Sequence, residues 1–415
     1  MQPYVIDANN GSSVEDFQIR ENLITTLKNR FTTYGYKQVR TSTFEYYDLY
    51  STISGTVNKD EMIKVIDSGG KVLVLRPDVT IPITRMIALN KQHLSDNLRL
   101  FYMLDVFRQS VEQADEKEST QAGIEYFGEN KPEVDSEVIM LAIHTLKDLD
   151  FSNFKIEMGH AGFFKELISQ TTLSQAEIDQ LQILIQSKNI VEMEPFLTSL
   201  SINEDVKKAI QMIPLLYGDP AHVIQQAKDI ILNDEMEVLL QNLIEVYEVI
   251  KDYGVEDSIV FNFGLINNMN YYSGIIFQGF VANVGKPVLM GGRYDNLGEQ
   301  YGTGMPAIGF AFEVDLLLHA LNQQGLSDDQ NPSVDMIIYY EKLKQREALS
   351  TAFRLREAGY QVLTSLSDTN NTASPTYIVS YEENQNQFLL NGKKTEFSSY
   401  ADLYELLRDE KGEVT

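Results

Sequence analysis

The chain has 415 residues, more than one hydrophobic core usually serves, so two or three domains are expected. With 43% hydrophobic residues, among them 20 Phe and 22 Tyr, it has the apolar material of packed cores and is not disordered by composition. Acidic residues outnumber Lys and Arg by 60 to 34, and the formal charge of -26 repels phosphate backbones on average. The absence of cysteine excludes disulfides, thiolate catalysis and cysteine metal sites, and five scattered His make no metal-ligand spacing. No metal or cofactor is expected. The N-terminus lacks the basic start and apolar core of a signal segment, and no apolar run reaches membrane-span length, so a cytoplasmic protein is expected.

In residues 14–31, Val14, Phe17, Ile24, Leu27 and Phe31 roughly follow one helical face, and Gly35 ends the predicted helix. Residues 36–46 and 71–76 read as strands, the second ahead of Pro77, which blocks continuation as a helix. Two further strands, 98–108 and 122–128, are joined by a polar connection rich in Glu and Gln, a spacing that suits antiparallel neighbours. From about 163 to 252 the pattern becomes helix after helix, with Ser or Asn near the starts, which predicts a helical insertion. Strands resume at 259–263 and 272–281, so the sheet is expected to be completed from both sides of that insertion. Residues 323–332 are polar, acidic and closed by proline, a linker pattern. Beyond it a strand at 334–340, a helix at about 342–358 and a strand at 360–363 predict a small α/β domain over 333–415, set apart from a core over 1–322.

Several segments carry a resemblance in their order and spacing: Leu75-Arg-Pro-Asp-Val-Thr80, Val106-Phe-Arg108, Thr120-Gln-Ala-Gly-Ile-Glu125, Gly264-Leu-Ile-Asn-Asn-Met-Asn-Tyr-Tyr-Ser-Gly274, and Leu289-Met-Gly-Gly-Arg-Tyr-Asp295 with Gly304-Met-Pro-Ala-Ile-Gly-Phe-Ala311. From about residue 14 to about 410 they resemble class II histidyl-tRNA synthetases. They are similar to the Leu-Arg-Pro-Glu-Gly-Thr loop, the motif 2 arginine strand, the next strand of the histidine pocket, the Arg-Gly-Leu-Asp-Tyr-Tyr-Thr-Gly segment and the motif 3 region. The resemblance implies an α+β fold: a class II antiparallel sheet flanked by helices, dimeric through motif 1, with a C-terminal domain like a shortened anticodon-binding domain.

An amino acid's ammonium calls for carboxylates and an amide, which Asp78, Gln121 and Glu125 supply; charge-assisted hydrogen bonds are the stronger ones. Arg108 suits the ligand carboxylate, and Tyr271 and Tyr272 offer an aromatic wall with phenol hydroxyls. By the resemblance these six positions match the histidine site. Tyr271 and Tyr272 alternate across a predicted strand, so one of them is expected to turn away from any given face. Gly291 and Gly292 read equally well as a bulge or turn.

The same comparison shows departures. Asn267 stands at the catalytic arginine, Ser110 at the glutamate of Phe-Arg-x-Glu, Leu316 at the motif 3 arginine and Ser42 at the motif 1 proline. Losing one cationic or oxyanion donor costs about two to three decades in rate, so no catalytic residue is assigned. A scaffold that keeps the pocket and loses its arginines resembles the regulatory subunits of ATP phosphoribosyltransferase. That resemblance implies a short catalytic subunit as partner in a hetero-octamer, activation of that partner in the first step of histidine biosynthesis, and feedback inhibition by histidine. Two other readings stay open: an active histidine-tRNA ligase, and a synthetase-like RNA- or protein-interaction module.

Overall fold

The computed structural model describes residues 14–51, 58–90, 97–109, 117–266, 272–325, 334–367, 375–390 and 392–410. The chain divides into two compact units, Met1–Ser327 and Asp328–Thr415. In the first, helix α1 (Val14–Thr33) stops before Gly35, whose φ of +81° is a left-handed conformation that glycine adopts without a Cβ clash. Short elements follow: β1 (Lys37–Gln38), β2 (Phe44–Tyr46), α2 (Tyr47–Ser51), β3 (Lys64–Ile66), β4 (Val72–Leu75) and α3 (Thr80–Asn90). The long strands β5 (Leu98–Phe107) and β6 (Glu118–Phe127) pair antiparallel and lead to α4 (Pro132–Asp148).

Strand β7 (Phe154–His160) precedes the helices α5 (Ala161–Ser169), α6 (Gln175–Gln186), α7 (Ile190–Ser199) and α8 (Glu204–Met212). A two-residue strand, β8 (Tyr217–Gly218), interrupts this stretch before α9 (Pro220–Lys228) and α10 (Asp234–Asp252). The sheet resumes with β9 (Ile259–Asn262), β10 (Ile275–Val281), β11 (Leu289–Arg293) and β12 (Ala307–Glu313), and α11 (Val314–Gln324) closes the unit. Helix α11 runs through Gln323 and Gln324, two residues into the expected linker, because the stop signal is Gly325 at φ +66°.

Nine strands form one sheet in the order β1-β5-β6-β12-β11-β10-β7-β9-β8, antiparallel except at β1/β5 and β7/β9. Successive side chains point to opposite faces, so the sheet separates two cores. On one face Ile124, Phe277, Phe310 and Phe312 pack with Leu27 and Phe31 of α1 and Ile139 of α4. On the other, Leu100, Tyr102, Val106 and Ile276 pack with Ile81 and Ile83 of α3 and with Tyr272 and Tyr294.

The strand expected over 36–46 is two strands in two sheets: β1 pairs with β5, while β2 joins β4 and β3 in a separate three-stranded sheet. The buried Arg76 guanidinium explains the break. It donates from Nη1 to the carbonyls of Thr41 and Ser42 at 3.2 and 3.0 Å, and from Nε and Nη2 to the Asp105 carbonyl at 3.0 and 2.6 Å. Carbonyls turned toward that cation lie in a stretch that pairs with neither sheet, and the guanidinium supplies the hydrogen bonds that a ladder would otherwise give them.

The second unit holds β13 (Met336–Tyr340), α12 (Gln345–Glu357), β14 (Val362–Leu366), β15 (Tyr377–Tyr381), β16 (Asn386–Leu390), β17 (Lys393–Phe397) and α13 (Tyr400–Glu410). Its sheet order is β14-β13-β15-β16-β17, with β13 parallel to both neighbours. Ile338, Val379 and Phe388 of the sheet pack with Leu355 of α12 and Leu403 of α13. Ser365 and Leu366 belong to β14, and 368–374 lie outside the described residues. Among the described residues no helix is long and apolar enough to cross a membrane.

Candidate functional site

The functional face is the one carrying Gln121, Gly123 and Glu125 of β6. Cross-strand register places Glu313, Ala311 and Gly309 of β12 directly opposite them. Two glycines let side chains lie flat there. A Cβ on Gly309 would collide with the Glu125 carboxylate, and one on Gly123 would lie 2.5 Å from the Tyr102 ring. Gly291 and Gly292 sit in the regular antiparallel ladder of β11, not in a bulge or turn. The reason for glycine is again space: a Cβ on Gly292 would lie 2.7 Å from the Ile275 carbonyl oxygen and 2.9 Å from the Tyr272 ring, and one on Gly291 would lie 2.5 Å from the Gly309 carbonyl oxygen and from Phe310 Cβ.

Over this face lies a cavity of about 110 Å³, lined by five of the six expected residues: Asp78, Arg108, Gln121, Glu125 and Tyr272. The sixth, Tyr271, lies outside the described residues, as do Asn267 and Ser110. Tyr272 precedes β10, which begins at Ile275, so the strand alternation expected for the tyrosine pair does not govern it. Its ring is buried, and its carbonyl accepts from Lys165 Nζ of α5 at 2.6 Å. Two roomier cavities, of about 260 and 410 Å³, adjoin the same region, the larger also touching Tyr272, but neither lining includes a carboxylate to meet an ammonium.

Each polar group in the pocket is held. Asp78 stands just before α3, with Oδ1 accepting from the Ile81 N–H at 2.8 Å; Pro77 before it and Pro82 in the first turn suit a helix start, where proline's missing N–H costs nothing. Burial lifts the Asp78 carboxyl to about 6, against the pull of the Ile81 bond and of Arg108. Glu125 is 1% exposed, and burial lifts it further, to about 8. Its two oxygens accept from Tyr294 Oη and, at 2.7 Å, from Thr80 Oγ1; both donors favour the carboxylate, while Asp78 nearby opposes it. Arg108 donates Nε to the Pro77 carbonyl at 2.7 Å, and among the described residues the two ends of its guanidinium fork meet no hydrogen-bond acceptor.

Thr80, Tyr102, Tyr294 and Glu313 line the cavity without having been assigned to it from the sequence. Tyr294 lies inside the quoted Gly-Gly-Arg-Tyr-Asp segment, and Glu313 two places after Ala311; strand alternation was the signal that would have found Glu313. Tyr294 is aimed by a buried cluster. Arg293 donates Nε to Asp135 Oδ1 at 3.0 Å, pairs with the same carboxylate through Nη2, and donates Nη1 to Asp295 Oδ1 at 2.9 Å. Asp295 Oδ1 also takes the Ala307 N–H, which ties β11 to β12.

Leu316, expected where the resemblance has an arginine, packs against the larger core from α11. Ser42 donates Oγ to the Phe44 carbonyl at 2.8 Å. Among the described residues no three His, Asp or Glu are placed to hold a metal ion.

An antiparallel sheet whose glycine-lined face carries a small pocket walled by carboxylates, an arginine and tyrosines defines a class II aminoacyl-tRNA synthetase scaffold. The histidyl-tRNA synthetase family model matches residues 13–317. The chain is 47% identical over 393 residues to the ATP phosphoribosyltransferase regulatory subunit of Oceanobacillus iheyensis, covering 94% of this chain and 95% of that protein. It is 35% identical over 344 residues to the corresponding protein of Acetivibrio thermocellus, covering 83% and 82%. A crystal structure of an ATP phosphoribosyltransferase regulatory subunit/histidyl-tRNA synthetase from Bacillus halodurans matches with a TM-score of 0.80 at 27% identity, over 92% of this chain and 99% of that one. The chain belongs to the ATP phosphoribosyltransferase regulatory subunit family, on the histidyl-tRNA synthetase scaffold.

Proposed function

We propose that this chain is a non-catalytic histidine sensor: it binds a short ATP phosphoribosyltransferase catalytic subunit in the cytoplasm, activates it, and passes on feedback inhibition by histidine. The regulatory-subunit name of its relatives supports the partnership. The observation that carries the sensor reading is the convergence of Asp78, Gln121, Glu125, Arg108 and Tyr272 on one small cavity. Asp78, Glu125 and Gln121 take the ligand ammonium, Arg108 its carboxylate, and Tyr272, with Tyr271, the imidazole. A self-dimer within a hetero-octamer is the assembly proposed, with 333–415 acting as a shortened relative of the anticodon-binding domain. The acidic charge of -26 argues against a nucleic-acid partner.

Catalytic silence follows from the missing cations. Adenylation needs positive charge over the triphosphate and the reacting carboxylate, and Asn267 and Leu316 supply none. The purified chain is therefore expected to show no histidine-dependent exchange of pyrophosphate into ATP. Turnover within about two decades of an ordinary synthetase rate would instead make the chain a histidine-tRNA ligase.

A further inference from the structure

The pocket holds a third carboxylate that the sensor reading leaves without a role. Glu313 ends β12 on the same face as Ala311 and Gly309, directly across the ladder from Gln121. Gln121 donates Nε2 to Glu313 Oε1 at 2.7 Å. An amide that spends its N–H on Glu313 presents its oxygen elsewhere, and an oxygen is what an ammonium needs. Glu313 thus orients Gln121 for a cationic ligand. Burial raises the Glu313 carboxyl, against the pull of the Gln121 bond and of Arg108, and among the described residues no carboxylate lies within ion-pair distance of that guanidinium.

Among the described residues, the carboxyls lining the cavity are those of Asp78, Glu125 and Glu313, set against the Arg108 guanidinium; burial pushes all three toward the protonated form, and a bound ammonium draws them to the carboxylate. An amino acid brings one charge of each sign into that field. Its ammonium gains from a third carboxylate, while its own carboxylate must share Arg108 with Glu313. At the distances of a pocket this size, and at an effective dielectric of about 20, one extra unit charge shifts affinity by about a decade or more.

Resting on the reading of this pocket as a histidine site, we propose that Glu313 is its specificity-determining residue: it favours the ammonium end of the ligand over the carboxylate end. The site then takes an imidazole-bearing amine whether or not that amine carries an α-carboxylate. The known chemistry of an amino-acid site, in which arginine makes the carboxylate indispensable, is turned toward the amine.

The test is calorimetric titration of the full chain with histidine and with histamine, its decarboxylated counterpart. On the wild type, histamine is expected to bind within about tenfold of histidine. In Glu313→Gln, which keeps shape and loses charge, histidine should gain on histamine by about tenfold. Glu313→Asp, which keeps the charge, should hold the wild-type ratio, and its thermal unfolding beside that of Glu313→Gln separates a specificity change from a folding defect. Histidine binding with no detectable histamine binding to the wild type, or an unchanged ratio in a folded Glu313→Gln, overturns the inference and leaves the sensor reading standing. Failure of histidine itself to bind the wild-type chain overturns both.

Discussion

Replacing Glu125 by alanine weakens histidine binding by about tenfold to a hundredfold, the loss expected when a buried ammonium is deprived of a hydrogen bond to a charged group. The effect has a pH signature with a definite sign. Burial holds the Glu125 carboxyl at about 8, so in the empty pocket it is mostly protonated at pH 7. A ligand ammonium favours the carboxylate, so binding below pH 8 expels a proton, and affinity rises as pH climbs toward 8 and then levels. The alanine variant has no such proton to lose. Titrations between about pH 7.2 and 8.5 therefore read two things at once, a lower affinity and a flatter pH profile; the lower bound stays above the ordinary imidazole pKa of about 6.5 so that the ligand's own ring does not dominate. Equal affinity and equal slope in both proteins would remove Glu125 from the site.

Substituting Arg293 by methionine lowers the unfolding free energy by about 3–5 kcal/mol, because Asp135 is left buried without its cation. Arg293 and Asp135 are 2% and 1% exposed, and burial already lifts Asp135 to about 6 despite the guanidinium beside it. Changing both members to apolar residues of similar volume should recover most of the loss, since the penalty belongs to the orphaned charge. The damage also reaches the pocket. Arg293 immediately precedes Tyr294, which holds Glu125, so the single variant should bind histidine less well even where it is still folded. Denaturant unfolding of the single and double variants decides this, and a single-variant change under about 0.5 kcal/mol, the size of an ordinary surface substitution, would show the cluster to be energetically idle.

What was legible in the sequence divides by the range of its causes. Asp78, Gln121 and Glu125 were readable because they sit in short motifs whose order matched a known scaffold, and Gln121 and Glu125 share a strand face by simple alternation. Thr80 and Tyr294 were not, since their role is to donate to Glu125 from positions 45 and 169 residues away, and only the folded register brings them there. Gly291 and Gly292 invited a local explanation in turn geometry, whereas the reason for them is the close approach of other segments, the Gly309 and Ile275 carbonyls with Phe310 and Tyr272. The split of residues 36–46 into β1 and β2 was hidden for the same reason: Arg76, more than 30 residues downstream, takes the carbonyls of Thr41 and Ser42. Local pattern carried the helices and long strands, and cross-strand contacts decided the pocket.

The most direct measurement mixes the wild-type chain with a short-form ATP phosphoribosyltransferase catalytic subunit and follows phosphoribosyl transfer while histidine is titrated in. The regulatory account predicts a rate well above that of the catalytic subunit alone, falling as histidine occupies the pocket with the affinity measured on the isolated chain. A mixture no more active than the catalytic subunit alone, with a rate indifferent to histidine, would contradict it.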